Sequence, residues 1–262
     1  IIIEELIAND RRFRLLNNIN NNGSAIQNIV KGLNFSNPDD DDLCVLIDGD
    51  DWLITNEALK KILNIYESNN VNLTYGHYIT FPDGETNIAL DLPNWVKDLG
   101  LYRCVYPFFL APLRSFKGSL WKKVDTQWFK DKDGNYFTSA TDAALMFSLA
   151  ELSDGKIHCI SEILYCYNRS RNLHVDKIRP THQSNSMKEI RAMKSTCMQQ
   201  LTDVQRWNKL SVEQFDELLE IEKIVMESFD KVGKSFFKEP FNYKKHSEIY
   251  KIKHQLFEKS MS

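Results

Sequence analysis

No CxxC pair occurs anywhere in this chain. Its five cysteines, Cys44, Cys104, Cys159, Cys166 and Cys197, are odd in number and widely spaced. That argues against a disulfide framework and against a structural zinc site, and it favours a reducing compartment. The cytoplasm is the expected location. No apolar run reaches the roughly 20 residues that a membrane-crossing helix needs, so no transmembrane segment is expected. An excess of basic charge is missing too: 33 Lys and Arg stand against 36 Asp and Glu, a net charge of −3. No global positive field draws nucleic acid, and none is expected as a partner. The opening residues, IIIEELIANDRR, have neither a basic n-region nor a small-residue cleavage site, so they do not read as a signal peptide. They read as the middle of an amphipathic helix, with the expectation that the chain continues upstream. No internal repeat is visible.

What is present is enough for a real core. Hydrophobic residues are 42% of the 262 and charged residues 26%, ordinary values for a globular chain. Ile2, Ile3, Leu6 and Ile7 keep helical spacing, which predicts a helix over 1–8. Phe13 to Leu16 form a short apolar run, read as a strand. An Asn- and Gly-rich loop follows, and Ser24 is placed to cap a helix carrying Ile26, Ile29, Val30 and Leu33. NFSNPDDDD reads as a loop. LCVLI (43–47) reads as a strand buried on both faces. Leu59, Ile62, Leu63 and Tyr66 predict a helix over about 55–68, and VNLTYGHYITF a strand closed by a PDG turn. Alternation of helix and strand points to a layered α/β domain with a largely parallel sheet. Residues 85–118 read as loop-rich and aromatic, 131–136 as a turn, 142–152 as a helix and 156–168 as a strand. Beyond about 178 apolar residues thin out and long helical patterns appear. SVEQ (211–214) has the spacing of a capping box. The chain therefore divides into an α/β domain, 1–178, and an α-helical extension, 179–262.

The stretch VLIDGDDWL (45–53) places Asp48, Asp50 and Asp51 at the end of a strand. Ligands of open α/β sheets bind beyond the C-terminal ends of strands, and clustered carboxylates suit hard cations such as Mg²⁺ or Mn²⁺. The same residues also make an ordinary turn, with Asp51 capping the next helix. Two enzyme classes place DxD after an apolar strand. Phosphohydrolases of the haloacid dehalogenase type want Thr or Val two positions after the second Asp, where this chain has Trp52. Sugar-nucleotide transferases use the spacing to hold a metal–diphosphate.

Five stretches taken in order resemble family 2 glycosyltransferases of the GT-A fold. They are RRFRLLNNINNNGSAIQNIVKGL (11–33), VLIDGDDWL, LRSFKGSLWKKV (113–124), ATDAALMFSLAE (140–151) and EILYCYNRS (162–170). The resemblance covers residues 1 to about 175. It implies a Rossmann-like, mostly parallel sheet flanked by helices. It also implies an inverting, metal-dependent transfer from a nucleotide-diphosphate sugar, a UDP-sugar by family default, to a hydroxyl on a glycan, protein or lipid acceptor. The resemblance assigns Asp50 as direct metal ligand and Asp48 to the metal or the ribose. Asp51 goes to the sugar or the helix cap, and Asp142 is the catalytic base. His174 would reach the metal from a loop, with Arg169 and Arg171 meeting phosphates. Trp52, Arg114 and Lys117 would contact acceptor or sugar. Two departures stand out. The family's leading nucleotide-binding strands are missing, and the usual Glu-Asp pair is Thr141–Asp142. They keep alive a binding module built on a transferase fold, beside the phosphohydrolase alternative. The C-terminal helices carry broad apolar faces that need a cover: the domain itself, a partner, or a second copy in a homo-oligomer.

Overall fold

The computed structural model describes residues 10, 12–18, 23–87, 89–105, 108–170, 180–193, 211, 213–214, 216–221 and 223–224. The helix expected over 1–8 lies outside them. Helix α1, Ala25–Ser36, starts where expected, because Ser24 Oγ accepts the Gln27 N–H at 3.3 Å and donates to the Phe137 carbonyl at 2.6 Å. It ends at Asn37, whose left-handed φ of 48° lets its N–H reach the Leu33 carbonyl. Strand β1, Leu43–Leu46, precedes the acidic turn, and the two-residue β2, Trp52–Leu53, follows it. Helix α2, Ala58–Ser68, leads to β3, Leu73–Phe81. The short α3, Asn94–Asp98, and a 3-10 turn over Tyr102–Cys104 come next, then β4, Arg114–Lys117, and α4, Gly118–Trp121. Helix α5, Thr141–Leu152, strand β5, Ile157–Asn168, and helix α6, Pro180–Ala192, complete the order.

The chain is α/β, and its sheet is mixed rather than mostly parallel. The strands lie in the order β1-β4-β3-β5-β2. Only β3 and β5 run parallel; the pairs β1/β4, β3/β4 and β2/β5 are antiparallel. The expectation of a largely parallel sheet fails chiefly at β4, which was hidden in the stretch read as loop. Its sequence is RSFK, too short and too polar for a strand pattern. Ser115 is nevertheless fully buried, because Thr74 Oγ1 and Ser115 Oγ lie 2.5 Å apart and the Tyr66 hydroxyl sits 3.1 Å from Ser115 Oγ. Hydrogen bonding removes the cost that would otherwise keep a serine out of the interior. Burial pushes the Tyr66 hydroxyl up to about 12, so it stays a neutral partner in that cluster.

Two apolar layers cover the sheet. On one face α1 brings Ile26, Val30 and Leu33 against Leu73, Tyr75 and Phe116, together with nearly the whole circumference of α5. A helix apolar all round is a buried one. On the other face Ala58 and Ile62 of α2 pack on Tyr78, Leu164 and Tyr165. Strand β1 departs from its expected double burial: among the described residues its one neighbour is β4, and its four residues are half-buried. Phe13 to Leu16, expected as a strand, have no regular secondary structure, and Phe13, Leu15 and Leu16 are exposed. Helix α2 starts at Ala58, three residues later than its periodicity suggests.

Residues on both sides of position 179 share one core. Ile190 of α6 and Leu218 are both within the main cluster, and Trp95 Nε1 donates to Glu217 at 2.7 Å. Ser211 and Gln214 make the two reciprocal bonds of a capping box, side chain to backbone N–H in each direction. A buried ion pair locks α6 to the body. Arg103 donates from Nε to Glu151 Oε1 at 2.7 Å and from Nη1 to the Ile190 carbonyl at 2.5 Å, while Arg191 Nη1 donates back to the Val105 carbonyl at 2.8 Å. The thiols of Cys44, Cys159 and Cys166 are free, and burial pushes Cys44 up to about 11 and Cys159 to about 12. No helix among the described residues is long and apolar enough to cross a membrane.

Candidate active site at the end of strand β1

The acidic turn is built by the end of β5. The Tyr165 hydroxyl accepts the Asp48 N–H at 3.1 Å and donates to Asp51 Oδ2 at 2.6 Å. Asp51 Oδ1 accepts the Asn168 N–H at 2.8 Å, and Asn168 Nδ2 donates to the Asp50 carbonyl at 3.0 Å. Within the turn the Asp51 N–H meets the Asp48 carbonyl at 3.1 Å. Both oxygens of Asp51 are therefore engaged in tying the turn to β5. Burial raises its pKa, and the bonds from Tyr165 and Asn168 act against that rise. Asp51 does not cap the following helix, as one reading of the sequence had it. The N-cap of α2 is Glu57, with no side-chain cap bond. The Tyr165 hydroxyl is itself pushed up, first by burial and then by the Asp48 charge.

Asp48 and Asp50 join these ties only through their backbone N–H and carbonyl, not through their carboxyl groups. Asp48 is exposed as a residue, yet the protein crowding its carboxyl raises its pKa; the nearby Arg114 charge opposes the rise, and Asp142 and Asp50 add to it. Three carboxylates thus share one field with a guanidinium. Strand register explains how they meet. Arg114 opens β4 directly opposite Leu46, the last residue of β1, because the two strands run antiparallel. Arg114 Nε donates to the Leu110 carbonyl at 2.8 Å, its guanidinium lies 6.0 Å from the Phe108 ring, and Nη2 donates to Asp142 Oδ2 at 3.0 Å.

Asp142 comes from the first turn of α5. The residue before that helix, Ala140, is left-handed, with φ 52° and ψ 31°, and contributes no side-chain cap. A non-glycine residue in that region is uncommon and costs conformational energy. Asp142 Oδ1 accepts the Ala143 N–H at 2.9 Å, so the carboxylate is held at both oxygens while its side chain stays 41% exposed. A carboxylate offers about four acceptor positions, and two are used, so it keeps room for a hydroxyl.

Not every expected residue joins this group. Lys117 pairs with Leu43 at the opposite end of β1, about 10 Å along the strand from Arg114. Arg169 follows β5, half-buried, with its N–H on the Phe81 carbonyl at 2.7 Å. Trp52 is 40% exposed, whereas Trp121 is buried against Phe129 and Trp95 and Trp128 pack on the core. Arg171 and His174 lie outside the described residues. Tyr165 and Asn168, which shape the turn, carried no signal in the sequence beyond membership of the closing strand; their role depends on partners more than 110 positions away.

Among the described residues no group of three or more His, Cys, Asp or Glu side chains is arranged to hold a metal ion by itself. Hard cations of the Mg²⁺ kind commonly take one or two carboxylates and complete their shell with phosphate oxygens. Compared with known proteins, the sequence matches no family model and no curated protein.

Proposed function

We propose that this chain is a metal-dependent inverting glycosyltransferase, moving a sugar from a nucleotide-diphosphate donor, a UDP-sugar, to an acceptor hydroxyl. The observation that carries the reading is the convergence at one strand end: Asp48 senses both Arg114 and Asp142, and Arg114 bonds Asp142 directly. A GT-A-like site needs a base close to the carboxylates that would hold the metal–diphosphate, and the gathering of Asp48, Arg114 and Asp142 is what supports that assignment. Asp50 and Asp48 would hold Mn²⁺ or Mg²⁺, which when bound neutralises charge on the leaving diphosphate. Asp142 accepts the proton of the acceptor hydroxyl as its oxygen bonds to the anomeric carbon and the bond from that carbon to the diphosphate oxygen breaks. A positioned base of this kind contributes about 10²–10⁴-fold. Arg114 fixes the carboxylate's orientation and offsets the repulsion from Asp48. Glycan, protein and lipid hydroxyls are all chemically suitable acceptors.

Calorimetry with UDP and UDP-sugars, with and without Mn²⁺, tests this. Metal-dependent binding is expected, lost in Asp50→Ala and retained in Asp142→Asn, with sugar transfer lost in both. Phosphate release from a generic ester, without any metal-dependent nucleotide binding, would instead point to a phosphohydrolase.

A further inference from the structure

Gly49 sits between Asp48 and Asp50, and apart from its chain neighbours no atom lies within 4 Å of where its Cβ would stand. Glycine has the widest backbone freedom of any residue, so the turn's own sequence does not fix how the two carboxyl groups around it are spaced. Strand β2 is only two residues long, so its pairing with β5 adds little. Hydrogen bonds from β5 hold the turn at both ends. At the front the Tyr165 hydroxyl takes the Asp48 N–H at 3.1 Å. At the back Asn168 donates from its backbone N–H to Asp51 Oδ1 at 2.8 Å and from Nδ2 to the Asp50 carbonyl at 3.0 Å. A carboxamide carries its donors and its acceptor on one plane, and the acceptor here is used on the other side. Asn168 Oδ1 takes the Ser170 N–H at 3.1 Å and the Ser170 hydroxyl at 2.6 Å. One amide thus fastens the aspartate turn to the chain that leaves β5.

We propose that Asn168 is a positioning residue for the cation–diphosphate site, acting through the Asp50 backbone to set where the Asp50 carboxyl stands relative to Asp48; this rests on the transferase reading above. A held carbonyl fixes the plane of the peptide that follows Asp50, and so limits the direction in which the Asp50 side chain leaves the turn. Mg²⁺-like ions demand near-ideal ligand geometry, and groups one step behind a metal ligand commonly govern its affinity by about 10–100-fold. The bonds from Ser170 decide which way the amide faces. Flipped, it would set its oxygen against the Asp50 carbonyl oxygen and its NH₂ against the Ser170 N–H, two unfavourable pairs in place of two bonds. The position therefore calls for asparagine. Aspartate would give Ser170 the same acceptor but meet the Asp50 carbonyl with an oxygen.

Asn168→Asp and Asn168→Ala in the full chain separate positioning from simple charge. Charge alone makes Asn168→Asp bind a cation more tightly and leaves Asn168→Ala unchanged. Positioning weakens Mn²⁺ in both, by about tenfold or more, read by calorimetry of Mn²⁺ in the presence of UDP and by the electron paramagnetic resonance signal of the bound ion. In turnover of a UDP-sugar the KM for Mn²⁺ should rise by the same factor, with kcat recovered at saturating Mn²⁺. A variant that merely folds less well loses kcat and keeps that KM, and circular dichroism melts report folding directly. Hydrogen exchange of the peptide spanning 45–53 should quicken in both variants while that of α5 stays as in wild type. Mn²⁺ bound as tightly in Asn168→Ala as in wild type, or more tightly in Asn168→Asp, overturns the proposal, and so does unchanged exchange over 45–53. A wild type that binds no Mn²⁺ with UDP removes the transferase reading and the positioning role with it. A wild type that binds, with variants that bind equally well, removes the positioning role alone.

Discussion

Replacing Glu151 by glutamine isolates the ion pair that anchors the far end of α5. Arg103 and Glu151 are each 3% exposed, with the guanidinium on both carboxylate oxygens at 2.7 and 3.2 Å. Glutamine keeps the shape but not the charge, and its NH₂ group would face an N–H donor of Arg103. The guanidinium remains buried, held by the Ile190 carbonyl and stacked 5.5 Å from the Phe147 ring. Breaking a buried pair from one side costs about 3–5 kcal/mol, against a typical total stability of about 5–15 kcal/mol. For a domain of this size each kcal/mol lowers the melting temperature by about 2–4 °C, so a fall of about 6–20 °C is expected by circular dichroism, with a matching drop in urea midpoint. The double variant Arg103→Met with Glu151→Leu should recover part of that loss, since apolar replacement of both partners leaves no stranded charge. A fall of less than about 2 °C in Glu151→Gln would refute the reasoning, because it would mean that the carboxylate carries no buried charge partner.

Other perturbations test the turn and its supports. Gly118→Ala puts a Cβ into the Asp39 carbonyl oxygen, where the acidic loop closes over the start of α4; a loss of about 1–3 kcal/mol or more is expected in urea titration, and an unchanged midpoint would disprove the close approach. Ser24→Ala removes both the cap of α1 and a donor to the Phe137 carbonyl, and should cost about 1–2 kcal/mol, read by the same titration. Burial holds the Asp48 carboxyl above its ordinary value of 3.8. The folded chain then keeps a proton that the unfolded chain has released, so this part of stability falls as pH rises from the ordinary to the raised value. Asp48→Asn should accordingly melt higher than wild type at neutral pH, with the advantage shrinking on acidification into that window; a variant that melts lower at neutral pH contradicts the sign.

Elements whose signal is local were legible in the sequence. The cap at Ser24, the capping box at Ser211 and Gln214, helix α5 and strand β5 all follow from residue periodicity and side chains within four positions, so their physics is contained in a short window. The apolar strand leading into three aspartates was legible for the same reason. The sheet's direction was not, because β4 is four residues long and hides its burial behind a Thr74–Ser115–Tyr66 hydroxyl cluster drawn from three elements. The roles of the aspartates were also undecided at that level. Three like side chains within four positions look interchangeable, and only the arrival of Tyr165 and Asn168 from β5 turns Asp51 into a structural tie while Asp48 comes within the field of Arg114 and Asp142. Composition and local pattern determined that the chain makes α/β elements with an acidic strand end. Which carboxylates are free and what faces them depended on strand register and long-range hydrogen bonds, since those partners meet only when the sheet is assembled.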